Sequence, residues 1–175
     1  TLVASETALN KAQEMSHIGS WEWNMVSNTV EWSKEMFRVF DLNPDTYDGK
    51  PESLFKIIHP DDIEKYKNSM NENLADGSSP TLEYRVIHKD RSVHVLSAKG
   101  KTEYDKSGKP IKAIGTVEDI TERKRAERKL LESEIALNKA QKTAHVGSWL
   151  WDIQNDQLHW SDEMFRIFGI EKERF

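Results

Sequence analysis

The chain has 175 residues, of which 37% are hydrophobic and 31% charged, with a net charge of −5. That composition has room for one good domain plus extras, reads as globular with much exposed helix, and argues against a general nucleic-acid binder. The absence of cysteine removes disulfides, thiolate chemistry, Cys-ligated zinc and iron–sulfur clusters and fits a reducing, cytoplasmic compartment.

No apolar run approaches the ~18 residues of a membrane span, so no direct membrane contact is expected. The first residue is Thr1 rather than Met. The chain is therefore expected to be part of a longer protein, whose own membrane anchorage stays open.

In chain order, Leu2, Ser5, Leu9, Ala12 and Ser16 form one seam, which predicts an N-terminal linker helix over residues 1–16. Residues 18–25 read as a strand with Trp21, Trp23 and Met25 on one face. Asn24 to Asn28 supply a turn, and 29–32 a short second strand. Ser33 is placed to N-cap a short helix through Phe40 that buries Met36, Phe37 and Phe40. A helical turn follows around 51–58. His59-Pro60-Asp61-Asp62 then opens a helix with Ile63, Tyr66, Met70 and Leu74 on one stripe, ending at Gly77. Three strands, 81–88, 93–104 and 110–118, are separated by turns at Lys89–Ser92 and Asp105–Gly108. The order predicts an α+β domain with helices on one face of an antiparallel sheet.

The stretch Gly115 to Lys124 joins two periodicities. Ile111, Ala113, Gly115 and Val117 alternate as a strand; Ala126, Leu130, Ser133, Leu137, Ala140 and Ala144 then repeat at helical spacing. The change falls on Asp119, with Glu122 three residues later, a helix-start pattern that places both acids at the positive end of the dipole. A strand is expected to run through Asp119, Ile120, Thr121 and Glu122 into a helix over 121–144, about 36 Å long. The bland reading is an ordinary junction; the sharper one is a mechanical coupling.

An internal repeat organises the whole. Residues 8–13 (ALNKAQ) recur at 136–141; His17, Gly19, Ser20, Trp21 and Trp23 recur as His145, Gly147, Ser148, Trp149 and Trp151. Trp32, Ser33, Glu35–Arg38 and Phe40 recur as Trp160, Ser161, Glu163–Arg166 and Phe168. These make eighteen identities at a constant offset of 128. Residues 145–175 are thus the opening of a second copy. Its Trp149, Trp151 and Trp160, at ~200 Å² each, would leave a large apolar patch unless covered.

The motifs Gly19-Ser20-Trp21-Glu22-Trp23, Trp32-Ser33 with Met36–Phe40, Ile58-His59-Pro60-Asp61-Asp62, Glu83-Tyr84-Arg85 and Gly115 with Asp119–Lys124 together resemble a PAS domain. The similarity is to the tryptophan-rich subclass with a C-terminal PAC motif, found in tandem in prokaryotic sensor histidine kinases and cyclic-dinucleotide enzymes. It covers roughly residues 15–124 and begins again in 143–170, which places a complete domain at 17–120, a signalling helix at 121–144 and a truncated second copy at 145–175. Asp41 stands where the family usually has Gly (Gly169 keeps it in the second copy), Asp90-Arg91 stands for its Asp-Gly turn, and Val95 for a frequent aromatic.

The resemblance implies a five-stranded sheet of order 2-1-5-4-3 with helices cupping a small cavity, and a sensory module working through flanking helices that pair between subunits. On that analogy and on strand alternation, Trp21 and Trp23 point inward, with Ile63, Tyr66, Met70, Tyr84 and Val86 as candidate liners. The reading favours a packed core over a pocket for a small apolar or carboxylate ligand. No cofactor is expected: the helix before the meander has no His for haem, and there is no Cys for a flavin–thiol adduct. Ala126, Leu130, Ser133, Leu137, Ala140 and Ala144 are the expected seam of a homodimer, and other domains of the parent its further partners. A ligand-free dimerisation scaffold is the competing reading.

Each remaining cluster has a plain alternative. His59, Asp61 and Asp62 are read as helix capping over metal ligation, and His88 with His94 as a surface hairpin over zinc, for want of a third ligand. His17 and His145 are read as cations at helix C-termini over pH-sensitive joints, and Glu83 and Arg85 as ion-pairing residues over an anion site. The run 122–129 interleaves Glu with Arg and Lys, which favours a solvated coiled-coil flank over a basic DNA-binding helix. No nucleophile–base pair, phosphate loop or paired catalytic carboxylates can be named, so no enzyme activity is expected of this chain.

Overall fold

A computed structural model describes residues 17–76 and 81–172. The expected linker helix over 1–16 and the helix stop at Gly77 lie outside those residues. The chain divides into two compact units after Glu122.

In the first unit, strand β1 (Ile18–Asn24) and β2 (Thr29–Trp32) make a hairpin whose turn is set by Asn24: its side-chain oxygen accepts from the amides of Val26 and Ser27 at 3.0 and 3.1 Å. Helix α1 (Lys34–Val39) is N-capped by Ser33, whose hydroxyl accepts from the Met36 amide. Three 3-10 turns follow, at Pro44–Thr46, Pro51–Lys56 and Pro60–Asp62. Each places its proline at the start, where a missing N–H costs nothing. Helix α2 (Ile63–Asp76), β3 (Leu82–Ile87), β4 (Val93–Tyr104) and β5 (Pro110–Asp119) complete the domain.

The five strands order as β2-β1-β5-β4-β3, with every neighbouring pair antiparallel. Gly19 lies against Met36, so the odd positions of β1 face the helices. The matching face of the other strands carries Val117, Leu96, Tyr84 and Val86, which join Met36, Val39, Phe40, Leu54 and Ile58 in one buried core. The outer edge of β3 is covered, not left open: His59 N donates to Arg85 O at 2.9 Å and Ile87 N to Ile57 O at 2.8 Å.

Two departures from the family's glycine positions are visible in the backbone. Asp41 (φ 52°) and Arg91 (φ 67°) both sit in the left-handed region that glycine occupies without cost. Asp41 gains a compensating contact, its carboxylate accepting from the Lys89 amide at 3.2 Å.

Helix α3 (Thr121–Ala144) is one continuous element. In the second unit it is followed by a hairpin of β6 (Trp149–Asp152) and β7 (Gln157–Trp160) and by α4 (Asp162–Phe168). The repeated sequence repeats its local geometry. Trp21 pairs with Trp32 and Trp149 with Trp160; Ser20 N donates to Ser33 Oγ and Ser148 N to Ser161 Oγ, both at 3.0 Å. His17 and His145 share a φ of 53° and 52°. Trp149 and Trp151 are 63% and 52% exposed, whereas Trp160 tucks against Phe165 and Phe168 at 5.5 and 5.1 Å between ring centres. The expected patch is therefore built from two of the three tryptophans.

Candidate functional site: an aromatic cavity and the sheet-to-helix junction

The inner face of the sheet, helix α1, the Pro51–Lys56 turn and helix α2 line a half-open pocket of about 120 Å³. Five of the seven expected liners border it: Trp21, Trp23, Tyr66, Met70 and Tyr84. Ile63 and Val86 do not. Ile63 is the first residue of α2, one turn before Tyr66, and the void begins beyond it. Val86 shares the face of Tyr84 but is fully buried in the core and bridges to Ile58. Further liners include Ser69, Leu74, Ala98, Gly100 and Thr102. The helical period from Tyr66 and the alternation of β4 are the sequence signals that point to them.

The cavity's floor depends on two facing glycines. Gly115 pairs with both Trp21 and Gly100, and the Trp21 ring lies across them. A Cβ on Gly115 would fall 2.5 and 2.6 Å from Trp21 ring carbons, and one on Gly100 2.8 Å from the same ring. Neither position admits a side chain while the indole stays where it is. Trp23 is tethered differently, its indole N–H donating to Asn28 Oδ1 at 3.2 Å.

The lining is aromatic with a few hydroxyls. Tyr66 and Tyr84 meet edge-to-face with ring centres 5.0 Å apart. Burial pushes the Tyr66 phenol up to about 12. Burial and then the neighbouring Tyr66 raise Tyr84 well above its ordinary value. Both therefore remain protonated donors at any physiological pH.

At the far end of β5 the chain passes to α3 through Ile120 and Thr121, both buried. Ile120 N donates to Val95 O at 2.9 Å, and Val95 N to Thr121 Oγ1 at 2.9 Å, so the first residues of the helix are laced to β4. Asp119 Oδ1 accepts from the Thr121 amide at 2.9 Å and from the Thr121 hydroxyl. The carboxylate thus acts one residue earlier than an ordinary N-cap, serving the first helical amide. Its other oxygen meets His94 Nδ1 at 2.7 Å. Burial opposes the charge of Asp119, but the bonds from Thr121 and His94 outweigh it and hold the carboxyl below the usual range. Glu122 is exposed in the first turn. Beyond it Ala126, Leu130, Ser133, Leu137, Ala140 and Ala144 are all exposed in the single chain. So are Leu131 and Ile135 (57% and 58%), on a second stripe that the single-seam reading did not include.

His59 Nδ1 accepts from the Asp61 amide at 3.3 Å, which is capping. Asp62 instead reaches Arg85, taking its Nε and Nη2 at 2.9 and 2.7 Å and its backbone amide at 2.7 Å. Arg85 is therefore paired with Asp62 at the end of the Pro60–Asp62 turn, and more weakly with Asp61 at 3.4 Å. His88 and His94 stack with ring centres 3.9 Å apart; His88 Nε2 lies 3.0 Å from Val39 O. Among the described residues no group of three His, Asp or Glu side chains is placed to hold a metal ion. His17 and His145 each approach a buried glutamate that the sequence reading missed, Glu35 at 3.5 Å and Glu163 at 3.3 Å. Arg38 and Arg166 pair with those same glutamates.

A family profile described as the PAS fold matches residues 29–117. With the strand order 2-1-5-4-3 this settles the class: the chain belongs to the PAS family. A probable diguanylate cyclase, DgcE, of Escherichia coli is 26% identical over 129 residues, 73% of this chain and 11% of that protein. A blue-light-activated histidine kinase of Brucella anthropi is 28% identical over 123 residues, 70% of this chain and 24% of that protein. This chain thus spans only a small part of either relative. Among solved structures, a sensory box histidine kinase/response regulator from Burkholderia thailandensis superposes with a TM-score of 0.61 at 22% identity, covering 75% of this chain and 98% of that one. These relatives support a sensory input module. No described helix is long and apolar enough to cross a membrane.

Proposed function

We propose that the chain is the sensory input segment of a larger cytoplasmic signalling protein, with a kinase or cyclase output elsewhere in the parent and no catalysis in this segment. A change in the shape of the sheet passes through Asp119, Ile120, Thr121 and Glu122 into α3. That helix pairs with its counterpart in a second subunit along Ala126, Leu130, Ser133, Leu137, Ala140 and Ala144. Residues 145–175 open a second PAS copy, which receives the motion. The observation that carries this reading is the lacing of Ile120 and Thr121 to Val95: β4 cannot shift without moving the start of the helix. Small residues at Ala126, Ser133 and Ala140 allow close approach and weaken the pairing, which suits two states separated by a few kcal/mol.

The test is to lengthen the helix after Glu132 in the full-length parent, one residue at a time through a full turn. Output should rise and fall with the inserted helical phase; a flat response defeats the mechanism. The exposed apolar stripes of α3 also suit a ligand-free dimerisation scaffold. Native mass spectrometry beside an absorbance spectrum separates the two, a retained small molecule favouring the sensor and an empty dimer the scaffold.

A further inference from the structure

The turn between β3 and β4 and the start of α3 meet at one imidazole, and its hydrogen bonds fix its charge. His94 Nδ1 lies 2.7 Å from Asp119 Oδ2, and its Nε2 lies 3.1 Å from Ser92 Oγ. The Ser92 hydroxyl has a single proton, which it donates to Asp90 Oδ1 at 2.6 Å. Towards His94, Ser92 can therefore only accept. Asp119, whose carboxyl is held below the usual range, can only accept as well. Both ring nitrogens must donate at once, and only the imidazolium does that.

We propose that His94 carries a positive charge in this arrangement and that losing its proton loosens the start of α3, which makes the sheet-to-helix junction sensitive to pH. The inference rests on the sensory reading given above and names a regulation of that same junction. A neutral ring donates from one nitrogen only. With Nδ1 protonated, Nε2 turns a lone pair on Ser92 Oγ, and either that bond or the Ser92 bond to Asp90 is lost. With Nε2 protonated, the lone pair of Nδ1 faces the Asp119 carboxylate. In either tautomer Asp119 loses the positive charge beside it. That carboxylate also receives the Thr121 amide and hydroxyl, and Thr121 Oγ1 in turn receives the Val95 amide. One proton on His94 thus bears on the helix start and on its lacing to β4.

The surroundings place the charge on His94 and not on its neighbour. His88 stacks on it with ring centres 3.9 Å apart, but the partner of His88 Nε2 is the Val39 carbonyl at 3.0 Å, not a carboxylate. A second charge stacked at that distance would be repelled. The acidic groups around the two rings are Asp119 from β5, Asp90 from the turn and, beyond the end of α1, Asp41, which accepts from the Lys89 amide. Lys89 and Arg91, the cations of the turn, are exposed, as is Glu122 in the first turn of α3. The side chains of His94 and Asp119 are 24% and 26% exposed, open enough to exchange a proton with solvent.

In the chain labelled with nitrogen-15, the ring nitrogens of His94 and the amide of Thr121 are followed together as the pH is raised. The Thr121 signal should move in step with the His94 ring. Its exchange, corrected for the faster intrinsic rate at higher pH, should quicken roughly fivefold as that ring becomes neutral, the difference between a charged and a neutral hydrogen bond. His94→Gln keeps a donor that does not titrate and should abolish the step. Should that variant fail to fold, Asp119→Asn, which keeps an acceptor for Thr121 but no charge, carries the same expectation. His88→Gln should leave the step in place. The inference is overturned by a Thr121 amide that ignores the His94 ring, by a step that survives His94→Gln or Asp119→Asn, or by one that disappears in His88→Gln. A His94 ring that keeps its proton for as long as the chain stays folded overturns it too. Failure here is distinguishable from failure of the sensory reading, because these signals come from this chain alone, whereas that reading is tested by the dependence of output on helical phase in the full-length parent.

Discussion

The glycine beneath Trp21 gives the sharpest test of how the cavity is built. A Cβ at Gly115 would lie at 2.5 and 2.6 Å from Trp21 ring carbons and closer still to the Lys99 carbonyl oxygen. Ordinary contact needs nearly another ångström. The oxygen belongs to β4 in the middle of its ladder with β5, so it cannot swing away as a side chain would. Overpacking of this kind costs up to about 3 kcal/mol. Removing a glycine from the unfolded chain returns a fraction of a kcal/mol, which leaves a net destabilisation of about 2 kcal/mol for Gly115→Ala. Native-state hydrogen exchange at the β4 and β5 amides reads this sheet directly, whatever residues 123–175 do, and should quicken roughly 30-fold. In a Trp21→Leu background the ring overlap is gone and only the backbone clash remains, so the same substitution should cost at least ~1 kcal/mol less. Exchange within a factor of about three of the parent, or an unchanged cost in the Trp21→Leu background, would refute the account of the cavity floor.

Other expectations follow from single contacts. Arg91→Gly should stabilise by about 1 kcal/mol, because Arg91 holds a left-handed φ of 67° in an exposed turn; a urea midpoint that does not rise contradicts this. Asp62→Ala should cost about 2 kcal/mol through loss of the charged bonds to Arg85. The Arg85 bond holds the Asp62 carboxyl below its usual range, so the gap between parent and variant should shrink as pH falls through that depressed value. Asp119 has the same sign. Its folded-state carboxyl lies below the unfolded value of about 3.9, so its contribution is whole above pH ~4 and is lost as the pH falls through the lower folded value. Exchange at the Thr121 amide should quicken in that window. A profile flat from pH 5 to pH 2 would show that Asp119 does not hold the helix start.

Most of the elements were legible because each is written locally. Ser33 caps three residues ahead, Pro60 opens a helix, and β5 announces its faces by strict alternation. The strand order was not legible this way. It came with the family resemblance, since nothing in the spacing of β1 and β5 says that residues about 95 positions apart will pair. The Asp62–Arg85 clamp spans 23 residues and the His94–Asp119 contact 25, so each needs the fold before it can be seen. The pocket reading erred where strand and helix periodicity extend past the void: Val86 has the right face but the wrong end, and Ile63 lies one turn too early.

The repeat separates local from long-range causes within one molecule. Both copies make the same hairpin register, the same serine cap and the same left-handed histidine. Yet β1 pairs with β5, whereas among the described residues β6 has no neighbour but β7. The opening hairpin and helix are therefore set by their own sequence and do not wait for the rest of the sheet. What β4 and β5 add is the cover over the indoles, which Trp149 lacks at 63% exposure, and the ladder that fixes Ile120 and Thr121. The cavity and the junction are thus products of the same two non-local strands. On the function proposed above, a change at the pocket reaches the junction through Gly100 and Gly115, whose strands β4 and β5 also carry Val95 and lead into Ile120 and Thr121.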